Sequence, residues 1–353
     1  MKKPHLMVMA GGTGGHVFPA LAVANYLRDS GVKITWLGTE KGLESTVIPA
    51  NNIDIEWVSV EGLRGKGKLS SVLAPFKLIR AMWQSAVAIR KVQPDCILGM
   101  GGFVSGPGGL VARLLVKPLV VHEQNAVAGL TNKYLAKVAN KVITGFPNVT
   151  DLPVSAQWLG NPVRKDIIAI NANTSDKVNV LIIGGSQGAH SFNTKLPGVF
   201  GSLNNPAVSV WHQSGRNGAD HVKSEYTNNR VNAKVSEFID DMAGAYAWAD
   251  LLVCRAGAMT VAECCAAAKP ALLVPYPFSA GDHQEFNAQT LVDVGAGKMF
   301  DNNHIDGAEF LAVLTRLVSN KADLKSMGQK ALSLHKPNAL EDVAAVCQEF
   351  LNA

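Results

Sequence analysis

A glycine-rich segment near the amino terminus ends in a histidine, a combination that could support transfer of a group from an anionic donor. Gly11-Gly12-Thr13-Gly14-Gly15-His16 follows the apolar run HLMVMA and leads into a helical pattern. Amides at a helix start bind anions, and glycines let an anion approach the backbone. A neutral His16 imidazole could then remove a proton from an attacking hydroxyl. The alternatives are a tight strand-to-helix turn and a histidine that only caps or packs.

The spacing of these glycines excludes two common nucleotide motifs. Position 17 is valine, where a dinucleotide fingerprint needs glycine, and no Lys-Ser/Thr pair follows as in a P-loop. The loop Gly184-Gly185-Ser186-Gln187-Gly188-Ala189 in the second half also misses the dinucleotide spacing. Nicotinamide binding therefore loses support in both halves.

Two more polar or glycine-rich groups follow apolar strands in the first half. The run GMGGFVSGPGG spans residues 99–109, and His122-Glu123-Gln124-Asn125 ends a later strand. Two glycine-rich loops in one half predict a site for a diphosphate, and the polar group at 122–125 lies at a strand end, where ligands bind in doubly wound sheets. Glu123 is the reserve candidate for the base. The alternative is a buried polar cluster with satisfied hydrogen bonds.

The second half carries a comparable set of candidates after its own strands. Arg255 to Glu263 follows the strand LLVC, and here Gly257 would permit a turn while Thr260 could cap a helix or contact phosphate. Glu263, one turn into that helix, could accept hydrogen bonds from two vicinal ribose hydroxyls. His283-Gln284 could contact sugar hydroxyls, although a plain connecting loop is the simpler interpretation.

Residues 62–94 contain seven basic side chains and no acidic one. Apolar residues recur there at helical spacing, and others fall off that stripe, so the segment has more apolar surface than one buried face needs. An apolar patch ringed by cations would bind an anionic membrane; a buried helix with snorkelling lysines is the alternative. The predicted membrane-binding residues are Lys68, Leu73, Phe76, Lys77, Ile79, Arg80, Met82 and Trp83.

The order of elements predicts an α/β fold with two doubly wound parallel sheets. Short β-rich runs alternate with longer helical stretches in both halves. The halves also open alike, with LMVMAGGTGGH at 6–16 and VLIIGGSQGAH at 180–190. Turn-forming residues near 160 and an asparagine-rich tract after it mark the domain boundary. Two such Rossmann-like units would border a cleft with their strand ends.

Composition and charge limit the class of protein. With 353 residues, 47% hydrophobic and 17% charged, the chain is long enough for two domains and too apolar to be disordered. Residues 1–162 hold 17 Lys and Arg against 9 Asp and Glu, a balance of +8, whereas residues 163–353 hold 16 against 19, a balance of −3. Five cysteines without CxxC or metal spacing fit a reducing, cytoplasmic compartment. No apolar run is long enough for a signal peptide or a membrane span.

Ten blocks of this sequence resemble the MurG family of peptidoglycan N-acetylglucosaminyltransferases, in the same order and nearly end to end. They include GGTGGHVFPALAVA, GLRGKG, GMGGFVSGPG, HEQNAVAGLTNK, GGSQGA, WHQSG, FIDDMA and CRAGAMTVAE. The resemblance implies a GT-B fold, with an acceptor and membrane-binding domain over 1–162 and a UDP-N-acetylglucosamine domain over 163–337. A helix at about 338–353 would pack back on the first domain. Phe103 stands where the family usually has tyrosine, so no hydrogen-bonding role is expected for it.

The resemblance also implies a reaction and a set of contacts. N-acetylglucosamine would pass from UDP to the C4 hydroxyl of the muramyl sugar of lipid I, with inversion, to give lipid II. The base would be His16, with Glu123 in reserve; no metal or cofactor is expected, because no Asp-x-Asp motif ends a strand and Asp240-Asp241 is a poor substitute. The expected donor contacts are Thr13, Gly14, Gly15, Asn125, Arg164, Ser186, Ile239, Ala258, Met259, Thr260, Val261, Ala262, Glu263 and Gln284.

The same resemblance places the protein on the cytoplasmic face of the bacterial inner membrane. Its partners would be the UDP-sugar donor, lipid I, an anionic lipid surface and other proteins of cell-wall synthesis, with no nucleic acid. Three alternatives remain at this point: another GT-B glycolipid glycosyltransferase, a UDP-sugar epimerase, and a membrane-docked UDP-sugar sensor without turnover.

Overall fold

The computed structural model describes residues 3–60, 74–168, 176–185 and 188–352. It divides the chain into two compact units: unit 1 comprises Met1–Pro162 and Asn338–Ala353, and unit 2 comprises Val163–Pro337. Each unit is built on one parallel sheet with helices against it. The predicted α/β class with two doubly wound sheets is thereby confirmed.

Over its described residues, unit 1 has a seven-stranded parallel sheet in the order β3-β2-β1-β4-β5-β6-β7. Its strands are β1 (His5–Met9), β2 (Lys33–Gly38), β3 (Asp54–Trp57), β4 (Cys96–Gly99), β5 (Leu119–Glu123), β6 (Lys141–Thr144) and β7 (Gln157–Trp158). Its helices are α1 (Gly14–Asp29), α2 (Glu44–Ala50), α3 (Ala74–Val92), α4 (Ser105–Leu114), α5 (Leu130–Leu135) and, from the carboxyl terminus, α14 (Ala339–Leu351). Strand order reverses between β1 and β4, where ligands bind in folds of this type.

Unit 2 repeats the arrangement with the order β10-β9-β8-β11-β12-β13. Its strands are β8 (Val178–Ile183), β9 (Val208–Gln213), β10 (Ala233–Ser236), β11 (Leu251–Cys254), β12 (Ala271–Leu273) and β13 (Gly297–Met299). Its helices are α6 (Lys165–Ile168), α7 (His190–Leu203), α8 (Ala219–Asn228), α9 (Met242–Trp248), α10 (Ala258–Ala266), α11 (His283–Asp293), α12 (Ala308–Val318) and α13 (Lys321–Leu332). The strand order reverses between β8 and β11.

The apolar patterns of the strands explain their burial. Every residue of β1, β4, β5, β8 and β11 is buried, as expected for parallel strands covered by helices on both faces. In unit 1, α1 and α14 cover one face of the sheet, where Val17 and Leu27 share an apolar cluster with Val343 and Cys347. The other face is covered by α3 and α4.

Candidate functional site

Two glycine-rich loops meet in unit 1 at the point where strand order reverses. Residues 10–13 connect β1 to α1, and residues 100–104 connect β4 to α4. Gly102 has φ +83°, and a Cβ there would collide with the backbone of Gly11. The Ser105 hydroxyl lies 2.9 Å from the Met9 carbonyl and 2.7 Å from the Gly101 carbonyl, so it ties the two loops together.

The first loop also depends on a residue to which sequence reasoning assigned no role. Buried Glu44, at the start of α2, accepts a hydrogen bond from the Gly12 amide at 2.9 Å. Its other oxygen accepts from the amide and hydroxyl of Thr39, at 3.0 and 2.7 Å. An acidic residue in a first helical turn is common, so no sequence signal distinguishes this one.

His16 lies in the first turn of α1, against the second glycine-rich loop. Its Nδ1 is 2.9 Å from Oε1 of Gln124, at the carboxyl end of β5. A Cβ at Gly101 would lie 2.9 Å from both Cε1 and Nδ1 of the ring, and Gly101 has φ +93°. Glycine is therefore required at 101 for the backbone conformation and for contact with the imidazole. The structure brings together three motifs that lie apart in the sequence, at residues 11–16, 99–109 and 122–125.

Glu123 is buried, and both of its carboxylate oxygens accept hydrogen bonds. Oε1 accepts from the backbone amide and the side-chain amide of Asn125, at 2.9 and 3.0 Å. Oε2 accepts from the Gly129 amide at 3.0 Å and from the Asn132 side chain at 2.8 Å. These contacts hold the loop from Asn125 to Gly129 and orient the Asn125 side chain.

The predicted donor residues of the first turn in unit 1 lie where anions bind a helix. Thr13 is the N-cap residue of α1, with extended backbone, and Gly14 and Gly15 are its first two helical residues. The Thr13 carbonyl accepts from the amides of His16 and Val17. The side chain of Thr13 does not cap the helix.

In unit 2, the segment Ala258 to Glu263 opens helix α10 directly after β11, with Gly257 as its N-cap. This stretch contains Met259, Thr260, Val261 and Ala262, the remaining donor candidates of the segment. Partly buried Glu263 accepts a hydrogen bond from the hydroxyl of buried Tyr246 at 2.9 Å. Burial raises the pKa of Glu263, while the Tyr246 hydrogen bond and the nearby charge of Arg164 oppose that rise. Arg164 itself is exposed, immediately before α6.

A network of side chains joins the strand ends of unit 2. Oε1 of Gln284 accepts from the amides of Ala256 at 3.2 Å and Tyr276 at 2.8 Å. The Arg255 guanidinium, which no sequence argument assigned a role, donates to the carbonyls of Val274 and Pro275 at 3.1 Å each. Gln284 and Arg255 therefore hold the β11 and β12 ends in register.

Ile239 and Ser186 are the two remaining donor candidates. Ile239 is buried and is followed by Asp240 and by Asp241, which accepts from the Gly244 amide at 2.8 Å as the N-cap of α9. Ser186 lies outside the described residues. Phe103 is exposed in the second glycine-rich loop of unit 1. Across the described ranges, no three His, Cys, Asp or Glu side chains are grouped as metal ligands would be.

Helix α3 presents an exposed apolar face. Ala81, Ser85, Ala88 and Ile89 pack inward, whereas Trp83 is 67% exposed and Phe76 is 69% exposed. Ile79 is exposed on the same helix with Lys77 and Arg80, whereas Met82 packs against the interior cluster. Lys68 and Leu73 lie outside the described residues. None of the described helices is long and apolar enough to cross a membrane.

Comparison with known proteins gives matches over both units. The N-terminal domain model of glycosyltransferase family 28 matches residues 6–144, and the C-terminal domain model of that family matches residues 179–343. A UDP-N-acetylglucosamine--N-acetylmuramyl-(pentapeptide) pyrophosphoryl-undecaprenol N-acetylglucosamine transferase of Shewanella piezotolerans is 45% identical, covering 98% of this chain and 97% of the relative.

Solved structures give the same result. The crystal structure of Acinetobacter baumannii MurG has a TM-score of 0.86 and 38% identity, covering 98% of this chain and 99% of that one. The calicheamicin glycosyltransferase CalG4 has a TM-score of 0.74 at 15% identity, covering 100% of this chain and 99% of that one, a likeness of fold alone. With the two parallel-sheet units, these matches confirm the predicted GT-B fold class.

Proposed function

The chain belongs to the MurG family of glycosyltransferases, and from this membership we infer that it transfers N-acetylglucosamine from UDP-N-acetylglucosamine to lipid I. The acceptor is the muramyl sugar of undecaprenyl-pyrophosphoryl-N-acetylmuramyl-pentapeptide, and the products are lipid II and UDP. The protein is thus an N-acetylglucosaminyltransferase of peptidoglycan synthesis. The observation that carries this conclusion is the family match over nearly the whole chain.

The base in this reaction is His16. The C4 hydroxyl attacks the anomeric carbon of the donor sugar, its proton passes to the imidazole, and the bond from that carbon to the UDP oxygen breaks. UDP leaves with the electron pair, and one displacement inverts the anomeric centre. Two observations favour His16 over Glu123: His16 lies partly exposed in the first turn of α1, whereas buried Glu123 already accepts four hydrogen bonds.

In unit 2 the first-turn amides of α10, at Ala258, Met259 and Thr260, bind the diphosphate, because helix-start amides carry a partial positive charge. Glu263 accepts from the ribose hydroxyls, the backbone of Ile239 contacts uracil, and Gln284 contacts the donor sugar. Arg164 and Ser186 bind near the uridine or phosphate.

In unit 1, Thr13, Gly14 and Gly15 lie near the diphosphate and sugar of the donor. Asn125 contacts the donor sugar, held in place by Glu123. Backbone amides and helix starts stabilise the developing charge on UDP.

The protein acts at the cytoplasmic face of the inner membrane as a peripheral protein. Its exposed α3 face, with Phe76, Ile79 and Trp83 beside Lys77 and Arg80, has the mixture of apolar and cationic side chains that anionic lipid surfaces bind. The long lipid of the acceptor is consistent with that location.

The test of the function is transfer of radiolabelled N-acetylglucosamine from UDP to a short-chain, water-soluble lipid I analogue, with EDTA present. Labelled glycolipid is expected. A labelled product without the acceptor, such as an epimerised UDP-sugar, would contradict a transferase, and binding of UDP without turnover would favour a sensor.

The test of the base is His16→Ala in the same assay. Turnover should fall roughly 100-fold or more, because a positioned base contributes about that much, while UDP-N-acetylglucosamine affinity changes little. Glu123→Gln is the comparison variant in the same assay. Unchanged turnover in His16→Ala would mean that a residue other than His16 is the base.

A further inference from the structure

A short chain of buried hydrogen bonds connects His16 to a backbone carbonyl. Nε2 of His122 lies 2.9 Å from the Gly160 carbonyl oxygen. Nε2 of Gln124 lies 3.1 Å from His122 Nδ1, and Oε1 of Gln124 lies 2.9 Å from His16 Nδ1. His122 and Gln124 are both buried, so the contacts between them and with Gly160 are shielded from water, whereas His16 is partly exposed. The direction of each hydrogen bond in this series follows from the Gly160 carbonyl, which can only accept.

A carbonyl oxygen only accepts, so His122 Nε2 must carry a hydrogen and donate to Gly160. Burial lowers the pKa of His122, despite the opposing effects of the Gly160 carbonyl and the Glu123 charge, and the ring is therefore neutral. A neutral imidazole has one hydrogen, which leaves Nδ1 of His122 as an acceptor.

The hydrogen-bond partners of the Gln124 amide fix its orientation. Its nitrogen faces two acceptors, His122 Nδ1 and the His122 carbonyl oxygen, each at 3.1 Å. Rotating the amide by half a turn would place its oxygen against both acceptors and lose both hydrogen bonds. Oε1 of Gln124 is consequently the atom that faces His16.

Because Oε1 of Gln124 can only accept, His16 Nδ1 must carry a hydrogen. The neutral ring then has its lone pair on Nε2, the nitrogen on the opposite side of the imidazole. Gly101, at φ +93°, leaves free the space beside Nδ1 and Cε1 of the ring, where a Cβ would lie 2.9 Å from both atoms.

We infer that His122 and Gln124 are positioning residues that hold His16 as the Nδ1–H tautomer and thereby present Nε2 as the proton acceptor. Backbone contacts support them, since the Asn161 side chain donates to the Gln124 carbonyl at 3.0 Å and the Asn132 side chain donates to the His122 carbonyl at 3.2 Å. The catalytic consequence of this tautomer rests on the proposed role of His16 as base, but the tautomer itself can be observed without turnover.

The experiment is a long-range 1H–15N correlation spectrum of the full chain with 15N-labelled histidine, at about pH 8.5, roughly two units above the ordinary histidine pKa. Signals of His16 and His122 are assigned by loss in His16→Gln and His122→Asn. The expected result is opposite tautomers: hydrogen on Nδ1 in His16 and on Nε2 in His122. Hydrogen on Nε2 of His16 in the wild-type protein would overturn the inference.

Gln124→Met interrupts this series of hydrogen bonds. The substitution keeps the length of the side chain and removes both polar groups of its amide. The Nδ1–H preference of His16 should be lost, and kcat should fall at least about tenfold with little change in the KM for donor or acceptor, as expected when an orienting partner of a catalytic histidine is removed. Gln84→Met on α3 is the matched control, because it removes a 2.8 Å hydrogen bond to the Ser59 amide of the same unit. That control should leave tautomer and turnover unchanged.

The two readouts separate this inference from the proposed base role. If His16 carries its hydrogen on Nδ1 both in the wild-type protein and in Gln124→Met, the positioning role of Gln124 is overturned. The inferred tautomer together with full turnover in His16→Gln would overturn the base role and support the hydrogen-bond assignment. Thermal unfolding of Gln124→Met shows whether the fold survives; if it does not, the wild-type spectrum alone decides the tautomer.

Discussion

At the scale of single residues, Glu263 illustrates how a binding residue can oppose stability. It is partly buried, and burial raises its pKa above the ordinary value although Tyr246 and Arg164 favour the charged form. Between the unfolded and the folded pKa, the folded state binds more protons, so the free energy of unfolding falls as pH rises through that window. At neutral pH the charged carboxylate therefore costs stability.

We predict that Glu263→Gln raises the thermal midpoint at pH 7 and raises the KM for UDP-N-acetylglucosamine, with a smaller effect on kcat. The neutral amide avoids the free-energy cost of burying a charge. It is also a weaker hydrogen-bond acceptor than the carboxylate for the ribose hydroxyls. The stability difference should vanish at about pH 3, well below the ordinary Glu pKa of about 4.3 that applies to the unfolded state, because Glu263 is then protonated in both states. Tyr246→Phe is the comparison and should lower stability. A lower midpoint for Glu263→Gln at pH 7, or a pure kcat defect, would contradict this account.

At the scale of elements, α14 belongs to unit 1, although the whole of unit 2, Val163–Pro337, separates it in the sequence from the rest of unit 1. Val343, Ala344 and Cys347 are buried in one cluster with Val17 and Leu27 of α1. Outside that cluster, Glu349 of α14 pairs with Lys141 at 2.9 Å between two partly exposed side chains. The apolar contacts, rather than this ion pair, should stabilise the position of α14.

Two substitutions on α14 should differ in effect. Val343→Ala is expected to lower the free energy of unfolding of unit 1 by about 2 kcal/mol, because it leaves a cavity in a packed core. Glu349→Ala should lower it by less than about 1 kcal/mol, as for other exposed pairs. Urea unfolding measures both, and equal effects would show that the ion pair contributes as much as the core.

At the scale of the whole molecule, charge and apolar exposure coincide. Residues 1–162 have the net balance of +8, and they contain α3, whose Phe76, Ile79 and Trp83 are exposed. Cations and apolar side chains together bind an anionic membrane more strongly than either alone. The second half, with its balance of −3, has no comparable attraction.

We predict salt-sensitive binding to vesicles that contain anionic lipid. Lys77→Glu with Arg80→Glu should weaken binding at least about tenfold, since each basic residue near the surface contributes about 1 kcal/mol. The control carries the same charge change on exposed residues of unit 2, Arg316→Glu with Lys325→Glu. Sedimentation with vesicles measures both; equal weakening in the two double variants would show that net charge, not the α3 face, governs binding.

Local patterns predicted much of the fold and failed where elements are short. The apolar runs that became β1, β4, β5, β8 and β11 are each buried strands, as predicted. Strands β7 and β13 were missed, because two residues at Gln157–Trp158 and three at Gly297–Met299 are too few to show a periodic pattern.

The sequence by itself determined the fold class, the family, the glycine-rich turns and His16 as the candidate base, because these depend on residues adjacent along the chain. Only the tertiary structure decided that Gln124 and Gly101 contact His16 and that Glu44 binds the Gly12 amide. The physical reason is the strand order: β1, β4 and β5 lie side by side although long segments separate them, and no local pattern records which side chains their ends bring within hydrogen-bond distance.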